Sequence, residues 1–193
     1  MGRPRKTHLP AAIYQDDLSP DEERRIASWY NTLSDSYDEL YANEQASKHD
    51  LVLEILKDTR FRTLVDVGSG TGTFLQRDKD SYEYGVGIDA SIRMLQQAKK
   101  MKPANTELIL ASSPKLPIRT GSIDCAVSIS TAKHDEKVLE FVDEMERIGG
   151  KGSVRIVTIL ESSERPKTSL PERWTGTQIS GRETLYVLGR TDT

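Results

Sequence analysis

Few residues that announce a chemistry by themselves are present. In 193 residues there are one cysteine, three histidines, two tryptophans and three phenylalanines. One cysteine excludes a disulfide framework or a cysteine-rich zinc site within this sequence. Cys125 lies in a largely apolar stretch and reads either as a small buried hydrophobe or as a reactive thiol. His8 and His49 have no partner at metal-ligand spacing, so no metal centre is expected. No apolar run approaches the roughly twenty residues needed to span a bilayer. Neither is there the apolar core of a signal peptide, and Lys6 stands where a myristoylation motif requires serine or threonine. A cytoplasmic protein without membrane contact is expected. Charge of one sign is lacking too. With 27 basic and 30 acidic residues, the net charge of −3 does not mark the whole chain as a nucleic-acid or membrane binder.

What is present is an apolar run that ends in an acid and a glycine-rich turn, Leu64-Val65-Asp66-Val67-Gly68-Ser69-Gly70-Thr71-Gly72. Such a turn brings backbone N–H groups against a small ligand at the start of a helix. Side chains at its glycines would block positive φ angles and close approach. The spacing is not that of the dinucleotide fingerprint G-x-G-x-x-G, because counted from Gly68 the third glycine would fall at Thr73. The pattern is D-x-G-x-G-x-G. A βαβ unit built on it should carry an acid about twenty positions on, at the end of its second strand, to accept hydrogen bonds from ribose hydroxyls. Tyr84-Gly85-Val86-Gly87-Ile88-Asp89 is that strand and Asp89 that acid. From Leu64 onward strands and helices alternate, which predicts one domain with a parallel sheet covered on both faces.

This turn resembles motif I of the class I S-adenosylmethionine (SAM) methyltransferases, and further segments follow in that family's order. Ala90-Ser91-Ile92-Arg93-Met94-Leu95 resembles its D-x-S-x-x-M-L segment, and Glu107 to Ser113 followed by Leu116-Pro117 its third strand. Gly121-Ser122-Ile123-Asp124-Cys125-Ala126-Val127-Ser128 is similar to its fourth strand, and Gly149-Gly150-Lys151-Gly152 to the glycine turn into strand five. Ser36-Tyr37-Asp38-Glu39-Leu40-Tyr41, with Glu44, Gln45 and Lys48, is similar to the N-terminal segment of the type 11, UbiE-like branch. The likeness runs from about Ser34 to Arg190. It implies an α/β fold: a three-layer, Rossmann-like, seven-stranded, mostly parallel sheet with an antiparallel last strand, an N-terminal helical lid, and a shortened region after strand five. The expected division is a flexible basic tail (1–18), a helical lid (19–60) and a SAM-binding core (61–193).

The resemblance also implies SAM as methyl donor. Gly68, Ser69, Gly70 and Gly72 would form the turn under its methionine moiety and ribose. Asp66 would orient that turn and reach the methionine ammonium. Asp89, with Ala90 beside it, would hold the ribose diol. Ser112, followed by Ser113, stands where the family often has an aspartate for the adenine amino group. A hydroxyl can accept that bond, at a cost of about 1 kcal/mol in lost charge assistance. Ser128, at the mouth of strand four, would lie near the amino-acid end.

Methyl transfer from a sulfonium needs alignment and exclusion of water more than it needs a catalytic group. A base is required only when the acceptor must lose a proton. His134, after strand four in Ser130-Thr131-Ala132-Lys133-His134-Asp135, is a candidate base or a solvent-facing residue at a helix start. Tyr37 and Tyr41, four apart, either face the sulfonium through a cation–π contact or pack on the sheet. Trp29-Tyr30 extends this lid or packs in the core.

Ser19-Pro20-Asp21-Glu22 predicts a helix start. A helix to about Leu33, a short one through Tyr41 and a third from Glu44 to Lys57, with Leu51, Val52, Ile55 and Leu56 on one face, should follow. Trp174 to Ile179 and Thr184 to Gly189 predict a hairpin. Gly2-Arg3-Pro4-Arg5-Lys6 is a solvated tail or a tether for nucleic acid. RNA, tRNA in particular, is expected as acceptor ahead of a small molecule or a protein, with an activating subunit as a further partner. The rival is a non-catalytic, SAM-binding regulatory or scaffold subunit of the same fold.

Overall fold

The computed structural model describes residues 28–32, 34, 37–112, 115–133, 137–161 and 169–189. The basic tail, the helix start at Ser19, Ser113 and His134 lie outside them.

Helix α1 (Tyr37–Leu56) leads into β1 (Phe61–Val67), α2 (Thr73–Arg77), β2 (Tyr82–Asp89), α3 (Ile92–Met101) and β3 (Thr106–Leu110). Then come β4 (Ile123–Lys133), α4 (Val138–Ile148), β5 (Gly149–Leu160) and the hairpin β6 (Thr175–Ser180) with β7 (Glu183–Leu188). The seven strands lie in the order β3-β2-β1-β4-β5-β7-β6. The first five are parallel, and β7 runs antiparallel to both neighbours. This is the expected seven-stranded Rossmann-like sheet.

Period-two alternation divides the strand side chains between two cores. Val65 and Val67 of β1 and Ala126 of β4 face a layer carrying Val138, Phe141, Val142 and Met145 of α4. Leu64 of β1 and Cys125 and Val127 of β4 face the other layer, with Val52 and Leu56 of α1 and Phe74 and Leu75 of α2. Cys125 is fully buried, and burial pushes its thiol well above the ordinary range. It is the small core residue of the two alternatives.

Strand order reverses beside β1, with β2 on one side and β4 on the other, and the crevice outside the carboxyl ends of such strands is where this architecture binds ligands.

Four local expectations are corrected. The lid helices expected on either side of Asn43 are one continuous α1, because Ala42 and Asn43 supply neither proline nor glycine to break it. Leu51 is 44% exposed, so the buried face of that helix is Val52 and Leu56. Strand β3 ends at Leu110, short of Ser112. The glycine segment at 149–152 lies inside β5, where Gly149 pairs with Ile123 and the register then shifts before Cys125 meets Val154.

Candidate functional site

The turn after β1 is held chiefly by backbone. The amides of Gly68 and Ser69 both donate to the Ile88 carbonyl, at 2.8 and 3.0 Å, and the Gly72 amide donates to the Ser69 carbonyl at 2.8 Å. Gly68 and Gly72 have φ of +77° and +80°, the left-handed region that favours glycine. A Cβ on Gly72 would also stand 3.1 Å from the Cβ of Ala98, so this glycine lets α3 come close. Asp89, at the end of β2, closes the arrangement. One carboxylate oxygen accepts from the Gly70 amide and the other from the Ser91 amide, both at 2.8 Å.

The electrostatics of this pocket are one-sided. Asp66 is 3% exposed. Burial, then the Asp89 charge, push its carboxyl up to about 8. Burial raises Asp89 as well, opposed by the amides of Ser91, Gly70 and Ala90. No basic side chain among the described residues offsets either acid. The Ser69 hydroxyl is buried with no hydrogen-bond partner. A cation with further hydroxyl or amine donors is the complement of such a pocket.

An aromatic row stands beside it. Trp29 and Tyr30 meet edge to face at 5.0 Å, Tyr30 and Tyr37 lie 6.0 Å apart, and Tyr37 and Tyr41 lie 5.0 Å apart. The Asp89 charge acts on both Tyr30 and Tyr37, which puts the row next to that acid. Burial, aided by that charge, pushes Tyr30 to about 12 and Tyr37 higher still. Both phenols are therefore protonated at neutral pH. Asn31 fixes the segment: its side-chain oxygen accepts from the Ser91 hydroxyl at 2.7 Å and from the Arg93 amide at 3.2 Å, at the start of α3.

Across the crevice β4 is irregular. Ser128 pairs with Val157 and Ala132 with Ile159, so β4 spends two more residues than β5 over the same stretch. Within this bulge Ser130 has φ +60°. The Thr131 hydroxyl sits 2.0 Å from where a Cβ on Gly68 would be. Bulges of this kind re-aim side chains next to functional sites.

Residues 65–157 match the family model described as a methyltransferase domain. This segment, from β1 to β5, is a methyltransferase domain. A relative with 25% identity over 157 residues is a malonyl-[acyl-carrier protein] O-methyltransferase of Pseudescherichia vulneris, covering 81% of this chain and 61% of that protein. Another, with 23% identity over 163 residues, is a mouse tRNA (carboxymethyluridine(34)-5-O)-methyltransferase, covering 82% of this chain and 23% of that one. The chain thus spans only part of the length of the curated relatives it matches. Among solved structures, the complex between the Haloferax volcanii Trm112 methyltransferase activator and a methyltransferase aligns with TM-score 0.59 and 20% identity, over 67% of this chain and 59% of that one.

Within the methyltransferase domain, Asp66, Gly68, Ser69, Gly70, Gly72 and Asp89 come together at the carboxyl ends of β1 and β2. Ala90 is exposed just beyond Asp89, and Ser112 is exposed beyond β3. Ser128 is not at the mouth of its strand: it is fully buried with its hydroxyl unpartnered, and β4 continues five residues further to Lys133. The Gly68 and Ser69 amides bond to Ile88, so the backbone of β2 rather than Asp66 is seen orienting this part of the turn. Tyr37 and Tyr41 belong to the aromatic row. Asn31 and Thr131 escaped the sequence reading, since no motif spacing marks either. Among the described residues no cluster of metal-ligating side chains occurs.

Proposed function

We propose that this chain is a SAM-dependent methyltransferase that transfers a methyl group to RNA, tRNA in particular. The observation that carries the reading is the buried, uncompensated Asp66 beside Asp89 at the glycine turn. SAM supplies a methyl group on a sulfonium, with an ammonium and a ribose diol for which this pocket has the complementary acids. Asp66 is assigned to the ammonium. Both Asp89 oxygens are engaged by amides, yet each keeps a lone pair for a ribose hydroxyl. The backbone of Gly68 to Gly72 is assigned to the methionine moiety and ribose, and the Ser69 hydroxyl is free to turn toward the same ligand.

The residues of the chain then do three things. The turn and the two acids hold the donor, the Tyr30, Tyr37 and Tyr41 row excludes water from its β2 side, and the β4 bulge borders the acceptor. Attack by the acceptor atom on the methyl carbon breaks the carbon–sulfur bond, and S-adenosylhomocysteine leaves. Where the acceptor carries a proton, His134 is assigned as the base that takes it. Tyr30 and Tyr37, protonated at neutral pH, act as walls rather than bases.

RNA stands first as acceptor because of the basic segment Arg3-Pro4-Arg5-Lys6 and the short stretch between β5 and β6. The mouse relative is named for a tRNA substrate, which supports the same choice. The Haloferax complex supports an activating partner. Ser112, where a carboxylate would hold adenine more firmly, favours a second reading as a SAM-binding scaffold subunit.

The test is transfer of radiolabelled methyl from SAM into a cell extract of the source organism, split into RNA, protein and small-molecule fractions. Label in RNA, absent with Asp89→Ala, is expected. Label in the small-molecule fraction alone overturns the acceptor assignment. SAM binding without label in any fraction, with an activating subunit added, supports the scaffold reading.

A further inference from the structure

Lys48 has no place in the donor site, yet it is only 8% exposed. Its ammonium carries three N–H donors, and three acceptors meet it: Glu183 at 2.7 Å, the Ser130 hydroxyl at 2.8 Å and Glu44 at 2.9 Å. Glu183, at the start of β7, is 3% exposed, and its second oxygen has no partner. Lys48 is therefore the counter-charge that lets this carboxylate stay buried.

The contact with Ser130 has a longer reach. Ser130 is a non-glycine residue at φ +60° in the β4 bulge, a conformation that costs free energy unless its surroundings impose it. Two bonds hold it: its amide donates to the Thr158 hydroxyl of β5 at 2.7 Å, and its hydroxyl accepts from Lys48. The next residue, Thr131, packs on Gly68 more closely than any Cβ there would allow. A path of direct contacts thus runs from α1 through Lys48, Ser130 and Thr131 to the first glycine of the turn.

We propose that Lys48 is a positioning residue: by holding Ser130 in its left-handed bulge, it sets Thr131 against Gly68 and so fixes the shape of the donor-binding turn. Glu183 holds the lysine for that task. The inference rests on the reading of this turn as a SAM site, and its test separates the two.

The experiment measures S-adenosylhomocysteine binding by calorimetry together with hydrogen exchange of segments 67–72 and 127–133 in ligand-free protein. Lys48→Met should weaken binding at least tenfold and speed exchange in both segments. It also leaves Glu183 buried without a counter-charge, so the melting temperature should fall by about 5–10 °C. Lys48→Met with Glu183→Gln should recover most of that fall and leave binding weak, because the Ser130 contact is still missing. Adding Ser130→Gly, which adopts the bulge conformation without help, should restore binding and slow exchange. Lys48→Arg should lie between wild type and Lys48→Met.

Wild-type affinity and exchange in the stable double variant would overturn the proposal. So would failure of Ser130→Gly to restore the bulge. If wild-type protein binds no S-adenosylhomocysteine, the SAM reading fails. Exchange at 127–133 and 67–72 then still decides the Lys48 claim: faster in the variant supports it, unchanged overturns it.

Discussion

The two sides of the crevice are made of different materials. On the β1–β2 side the fastening is backbone to backbone, or backbone to a carboxylate, between residues close in the chain: Gly70 and Asp89 are 19 positions apart. On the β4–β5–β7 side it relies on side chains that join distant segments: Lys48 and Ser130 are 82 positions apart. The first kind leaves a fixed spacing of glycines and acids in the sequence, because only certain residues permit the backbone geometry. The second leaves no spacing at all, because any fold that brings lysine, serine and glutamate together will do. The β1–β2 side is therefore legible as a motif, and the β4–β5–β7 side is legible only in the folded chain.

The largest effect is expected at Asp89, where that contrast is strongest. Asp89→Ala removes the acceptors of the Gly70 and Ser91 amides, and S-adenosylhomocysteine affinity should fall about 100-fold, or about 2.7 kcal/mol. Loss of these bonds is partly offset by relief of repulsion on Asp66, so unfolding in urea should show a change of only about 1 kcal/mol. Equal losses of affinity and stability would erase the distinction between a binding acid and a structural one.

Gly68 is where the two sides touch. Gly68→Ala combines a positive φ with a Cβ pressed into Thr131, and should cost about 2–3 kcal/mol in urea unfolding. In a Thr131→Gly background only the backbone strain remains, and the cost should fall by about half. An unchanged cost would show that the halves do not press on one another.

A smaller effect is expected at the cover. Asn31→Ala removes two hydrogen bonds to the start of α3 and should speed S-adenosylhomocysteine dissociation about threefold in stopped-flow, with about 1 kcal/mol lost in stability. A wild-type dissociation rate would detach segment 28–32 from the donor site.

The same contrast explains what was legible beforehand. The parallel sheet, the hairpin and the placing of Asp66, Gly68 to Gly72 and Asp89 at strand ends follow from alternation, glycine spacing and an acid at the end of a strand, while the seven-stranded sheet with its antiparallel last strand was implied by the family resemblance. The unbroken α1 was missed because local helix signals near Ser34 and Glu44 resemble restarts, whereas the continuous helix satisfies all the backbone between them. Ser128 was misplaced because a strand's end depends on its partner: β5 runs on to Leu160 and carries β4 with it through the bulge. Asn31 was invisible for the reason Lys48 was, since its bonds depend on the docking of two segments 60 positions apart.

The most direct test of the donor site is the proton balance of binding. In the ligand-free protein the Asp66 carboxyl is held up to about 8, far above the roughly 3.9 of an unfolded chain. An acid raised by folding keeps its proton while the unfolded chain loses one, so its contribution makes stability decline as pH rises from about 4 to about 8. A bound ammonium reverses the preference and expels the proton. Calorimetry of S-adenosylhomocysteine in buffers of differing ionisation enthalpy should show close to one proton released at pH 7. Affinity should rise from pH 6 to 8, and Asp66→Asn should abolish both effects. Tight binding with no proton released and no pH dependence would contradict the assignment of Asp66 to the ligand's ammonium.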